Sequence, residues 1–382
     1  DVITFDPTLF APERDALIRL TLGELEITGD LVVDGDGSAA APTAVTITGD
    51  ALGDDVLVAG TAITDVAASG AARLADNSRL FNATVSDAAL TLEGLTLTGG
   101  RTIGSGEQGG AVRAVGDLTL LASTVSGNST AGSVADGGGV FGAGDVALSN
   151  STVSGNSTAG SGAAGGGVVG HGDVALIGST VSGNHSAGDG GGVGGRGDVT
   201  LIDSTVSGNS TTGDRADGGG VSGGFVTLID STVSGNHTTR YGGGVRGTLV
   251  TVTDSAVSDN YASGFGGGIV GRSGAGGGLV VLTNSTVSDN STGGDRASGG
   301  GIAGNNVFLT NSTVSDNSTA GDGANGGGVY SGGNVTLRAS TVSGNSTTGD
   351  GADGGGIHSF APVMLRASTV SGNSTTGFSA RG

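Results

Sequence analysis

A chain of 382 residues with 83 Gly, 4 Pro and no Gly-X-Y register is not a collagen, and Val, Leu and Ile at fixed offsets exclude a disordered low-complexity polymer. Its formal charge of −20, from 35 acidic and 15 basic residues, repels nucleic acid and anionic lipid but could attract divalent cations or cationic polymers. The absence of Cys excludes disulfides and thiolate metal sites, and no apolar run approaches membrane-spanning length.

The chain opens at Asp1-Val2-Ile3 with neither a basic nor an apolar leader, as expected of an exported chain whose signal has been removed. Phe5, Phe10, Leu17, Ile18 and Leu20 supply bulk suited to covering an open end. Residues 25–28, 31–34, 45–48 and 56–59 read as irregular early strands. Residues 90–99 resemble a degenerate repeat, with Leu97 lying 28 residues before Val125. The chain is therefore divided into a capping region with early coils, 1–89, and a regular array, 90–382.

Within the array one motif, Ser-Thr-Val-Ser-Gly/Asp-Asn, recurs with small changes. Its Asn falls at Asn128, Asn156, Asn184, Asn209, Asn236, Asn260, Asn290, Asn317, Asn345 and Asn373. The mean spacing is (373 − 128)/9, a little over 27 residues. A fixed period of that size marks a solenoid, whose repeats bury their apolar faces only against one another. One repeat runs through Gly137-Gly138-Gly139-Val140, then Val146 to Asn150, then Ser151 to Asn156. These are β-prone pieces too short for a helix, separated by Gly, Asp or Asn.

Three short strands per coil and about 12 coils are thus predicted, an all-β, right-handed, single-stranded parallel β-helix. Alternation points Leu148 and Val153 inward. Val140, Val168, Val193, Val221, Val245, Ile269, Ile302, Val329 and Ile357 should stack as one column. The ten Asn are expected to form a structural ladder, because a short amide tolerates left-handed backbone and satisfies turn groups. Between Asn and the Gly triplet the bridge has two lengths, eight residues or five, which suggests a defined loop with an optional extension. An insertion near 271–278 should bulge from a turn. The last residues break off within a bridge, which points to a longer protein or to an end that meets another molecule.

Gly-Gly-Gly-Val/Ile alternating with Val-x-x-Asn resembles the repeats of polymorphic outer-membrane proteins, which carry Gly-Gly-Ala-Ile and Phe-x-x-Asn on a right-handed parallel β-helix. The opening 1–7, with Ile27-Thr28-Gly29-Asp30 and Val33-Asp34-Gly35, is similar to bacterial secreted β-helix proteins. The resemblance implies a surface, adhesive or passenger role. Val in place of Phe implies a slimmer core, and the autotransporter barrel of the outer-membrane group is not in this sequence.

Several groups could carry chemistry. β-Helix enzymes acting on sugars use carboxylates with an Arg, Lys or His base on neighbouring coils. His171 and Arg196 share an offset from their Gly triplets in adjacent coils, Arg272 shares it further on, and Asp173 and Asp198 are near in sequence. Polar turn decoration is the plainer reading. The four His (171, 185, 237, 358) lack metal-ligand spacing. Asp34, Asp36, Asp189, Asp214, Asp217, Asp322, Asp350 and Asp353 could pool oxygens for Ca²⁺, though solvated Asp turns are simpler. Thr124/Ser126, Thr152/Ser154, Thr180/Ser182 and their successors make a regular hydroxyl face, broken by Ala256, of the kind ice-binding solenoids use. Asn-Ser-Thr matches the N-glycosylation acceptor, but an inward Asn ladder accounts for it better.

The function expected from these readings is an exported structural or adhesive solenoid of the bacterial cell surface or extracellular matrix, including a fibre subunit. It is expected to be no enzyme and to need no cofactor, with Ca²⁺ as a candidate ligand. Its partners would be copies of itself or surface glycans and proteins, not nucleic acid. A polysaccharide lyase or epimerase and an ice-binding protein are the alternatives.

Overall fold

Strands form where Val, Leu, Ile and Thr alternate, and in the regular array two strands of each coil stop where the next residue turns left-handed. In one coil, Val146–Ser149 ends at Asn150 (φ 49°) and Thr152–Ser154 ends at Gly155 (φ 61°). A computed structural model describes residues 2–4, 16–20, 23–34, 45–49, 55–56, 64–65, 78–271 and 278–381. Among the described residues there is no helix. The expected cap residues Phe5 and Phe10, the side chain of Leu17 and the insertion at 272–277 lie outside them.

The chain divides into two units, Asp1–Gly188 with Gly192–Gly197, and Asp189–Gly191 with Asp198–Gly382. Each is a parallel β-solenoid. In the first, Leu90–Glu93, Leu118–Leu121, Val146–Ser149 and Val174–Ile177 pair in succession, with Leu148 opposite Leu120 and Leu176. In the second, the corresponding sheet runs from Val199–Ile202 through Phe225–Ile229, Leu249–Thr253, Leu279–Thr283, Asn306–Thr310 and Val335–Arg338 to Val363–Arg366. Leu249 pairs with Leu279 across the insertion, so the coil register is unbroken there.

The coil holds one strand more than the three expected. Ser157–Thr158, within the bridge, pairs with Ser129–Thr130, giving four strands per regular coil. Two residues are too few to show alternation, which hid this strand in the sequence. Val146, Leu148, Val153 and Val168 fill the interior at 0–1% exposure. Each contributes roughly 1.5–3 kcal/mol on burial. The predicted Val/Ile column is observed within each unit: Val140, Val168 and Val193 stack in the first, and Val221 through Ile357 in the second.

Early strands at Leu25–Ile27, Leu31–Asp34 and Val45–Thr48 are also present. Val45–Thr48 pairs with Leu95–Thr98 in the first unit, while Leu25–Ile27 pairs with Phe81–Ala83 and Leu31–Asp34 with Leu90–Glu93, so these early strands form a coil beneath the array. Of the strand expected at 56–59, Val56 lies in Asp55–Val56, which pairs antiparallel with Thr64–Asp65, and residues 57–59 lie outside the described residues.

Candidate functional site

The corners on either side of the Thr-Val-Ser strand are closed by inward polar side chains. Asn156 is fully buried; its Nδ2 donates to Val125 O (3.0 Å) and to Asn184 Oδ1 (3.0 Å). Its Oδ1 accepts from the N–H (2.9 Å) and Nδ2 (2.9 Å) of Asn128. In the second unit Asn236, Asn260, Asn290, Asn317, Asn345 and Asn373 hand on the same bonds, beginning from Asn209. The left-handed residue expected at Asn is the one before it, as in Gly127, Gly155, Asp289 and Asp316. The amide fills the corner while its neighbour makes the bend. With the interior Asn 0–1% exposed, they are out of reach as glycosylation acceptors.

Sequence reasoning missed three further ladders. Ser151, the first Ser of its motif, is 2% exposed; its Oγ accepts from Ser123 N (3.1 Å) and donates to Ser149 O (2.9 Å). Thr158 Oγ1 donates to Ala163 O (3.0 Å), clasping the eight-residue bridge; Thr130 and Thr319 do the same. The Asp turns are caps. Asp145 accepts from Asp173 N, Asp189 from Asp217 N, Asp322 from Asp350 N, Asp350 from Phe378 N and Asp353 from Arg381 N, at 2.8–2.9 Å. Each carboxylate holds the backbone of the following coil. Asp214 is exposed and Asp34 half-buried, while Asp36 lies outside the described residues. Among the described residues no three His, Asp or Glu stand close enough to hold a metal.

Of the sugar-chemistry candidates, the first unit brings together His171 and Arg196, each the residue after a strand, in coils whose strands align Val168 with Val193. Buried Asp136 joins them, with Oδ2 3.9 Å from His171 Nε2, beyond hydrogen-bond reach. Its Oδ1 accepts from Ala164 N (2.8 Å). Burial pushes the Asp136 carboxyl up against the opposing effects of that bond and of His171. Burial, then the Arg196 charge, lowers His171. The His171 ring meets Phe141 edge-on at 4.9 Å. Asp173 is exposed, Asp198 belongs to the second unit, and Arg272 lies outside the described residues.

The second unit carries an aromatic strip on the face of its Gly-triplet strands. Tyr241 and Phe265, each preceding a triplet, lie 5.7 Å apart, and Phe265 lies 5.8 Å from Tyr330. Tyr330 stacks on His358 at 5.7 Å and 4°, and Phe360 closes the strip 6.0 Å from Tyr330. The outward column Arg246, Val270, Ala303, Tyr330 narrows to small residues at its middle. That leaves an open hollow of about 220 Å³ walled by Tyr241, Phe265, Val270, Ala303 and Tyr330. At its edge Arg240 lies over the Tyr241 ring (4.5 Å), and Arg240 and Arg246 approach buried Asp217 at 3.8 and 3.4 Å.

His237 stacks on Tyr261 at 4.9 Å, and His185 sits opposite Ser157. The Thr and Ser ranks lie in register, Thr124–Thr152–Thr180 in the first unit, while in the second Thr232–Ala256–Thr286 marks the break. No helix among the described residues is long and apolar enough to cross a membrane. Comparison with protein-family models, curated proteins and solved structures finds no match.

Proposed function

We propose that this chain is an exported bacterial solenoid, of the polymorphic outer-membrane repeat type, that serves as structural and adhesive material and performs no catalysis. The observation that carries this reading is coil-to-coil sameness of the outward Thr and Ser ranks, held in register within each unit. Repeated identical groups favour avid contact, weak at each site, with a surface or with further copies.

The Asp136–His171–Arg196 group favours polysaccharide chemistry as a second reading. The enzyme of that reading is a lyase or epimerase, which needs a base, and the base this cluster offers is His171 beside Asp136 and Arg196. A turnover screen on acidic glycans, with His171→Ala and Arg196→Ala beside wild type, decides between them; turnover lost in both variants would establish the enzyme. The adhesive reading expects labelled protein to stay on bacterial surfaces or isolated matrix, and electron microscopy to find assemblies. Neither retention nor particles larger than one chain would overturn it.

A further inference from the structure

We infer that the hollow between Phe265 and Tyr330 in the second unit is a binding site for an uncharged polysaccharide chain. The inference deepens the adhesive reading, on which it rests for its ligand class. Four observations lead to it.

The hollow exists because of what sits in one coil. The column that carries Arg246 and Tyr330 carries Val270 and Ala303 between them, and Ser298 follows Tyr241 and Phe265 in the position before the triplet. Small side chains there leave the rings as walls, and Tyr241, Phe265 and Tyr330 remain half-exposed. The core needs none of these three rings, because Val245, Ile269, Ile302 and Val329 already fill it at 0% exposure.

Size is the second observation. About 220 Å³ is less than the 300–1,000 Å³ typical of sites that enclose a whole small molecule. An open hollow of that size takes one ring-sized unit of a ligand that continues past it.

Charge is the third. The wall residues are uncharged, and the guanidinium groups of Arg240 and Arg246 face the buried Asp217 carboxylate. With a chain charge of −20, a polyanion finds no net attraction here.

The fourth concerns the chemistry of the ring faces. An aromatic face is negative at its centre and attracts weakly positive C–H groups, which a sugar ring presents beside its oxygens. Ring-to-ring steps of 5.7 and 5.8 Å continue this surface along the solenoid, the second spanning the coil of Ala303. An extended peptide would instead gain affinity by adding a strand, but the strands flanking the hollow are paired on both sides.

The test is affinity electrophoresis of the full chain in gels containing xyloglucan, dextran or alginate. Three variants copy side chains that the same columns already carry in other coils: Tyr330→Ala, Phe265→Ser and the hollow-filling Ala303→Tyr. Retardation by xyloglucan or dextran, weakened roughly tenfold by each variant, is the expected result. Retardation in neither uncharged gel, retardation by alginate alone, or equal retardation of wild type and all three variants overturns the site. So does loss of self-association rather than glycan binding in the variants, which would make a second copy the occupant. Wild-type circular dichroism in each variant excludes misfolding as the cause. Retention on cell surfaces that survives in the variants would sink this site while leaving the adhesive reading in place.

Discussion

A single Asn carries unusual weight because it serves three coils at once. In Asn156→Ala, Asn128 N–H and Val125 O each lose the side-chain partner, while Asn184 Oδ1 keeps the backbone N–H of position 156. Each stranded buried group costs about 1–3 kcal/mol, so a loss of about 2 kcal/mol or more is expected. Asn156→Asp keeps the acceptor but loses both donors and adds a buried charge, so it should be no milder. Ser154→Ala, on the half-exposed outer rank, should stay within about 0.5 kcal/mol. Urea-unfolding midpoints of the three variants check the order; an Asn156→Ala midpoint matching that of Ser154→Ala would show that the ladder is ornamental.

At the scale of the element, the Gly triplet and the left-handed corner ask for different things from the same residue type. A Cβ on Gly138 would collide with both Gly166 O and Ser157 O, so coil stacking itself forbids it. Gly155, at φ 61°, has no atom within 4 Å of the place a Cβ would take, and Asp289 and Asp316 occupy the equivalent place in other coils. Gly138→Ala should therefore lower the melting temperature far more than Gly155→Asp, whose cost should stay near about 1 kcal/mol. Thermal unfolding followed by circular dichroism checks this, and equal melting temperatures would contradict the steric account. The same contrast explains what the sequence made legible. Alternation located Leu148, Val153 and the Val/Ile column, and repetition located every Asn of the ladder. The short strand at Ser157–Thr158, the Thr158–Ala163 clasp and the aspartate caps were not legible, since each depends on which backbone group the next coil brings alongside. The aromatic strip was hidden for a related reason. Phe265 and Tyr330 are 65 positions apart and hold different offsets, so no period connects them until the coils are stacked.

For the molecule as a whole, acid is a sharper stress than the charge total suggests. All four His are lowered from their ordinary value chiefly by burial, so the folded chain favours their neutral forms. Between the lowered folded values and the unfolded value near 6.5 the unfolded chain binds more protons, and stability falls as pH drops through that window. Protonating all four takes the formal charge from −20 to −20 + 4 = −16, which relieves some self-repulsion and opposes the loss. Salt near 0.15 M screens that long-range relief over about 8 Å, while the local desolvation of each ring is unaffected. His185 and His237 isolate the effect, because Ser157 and Ser210 stand opposite them in the neighbouring coils and make Ser a compatible replacement. Wild type should lose more stability than His185→Ser/His237→Ser on going from about pH 7.5 to about pH 5.5 in that salt, measured as the shift in urea midpoint. Parallel pH profiles for the two proteins would mean that the half-buried His185 and the exposed His237 stacked on Tyr261 titrate as freely in the coil as in the unfolded chain.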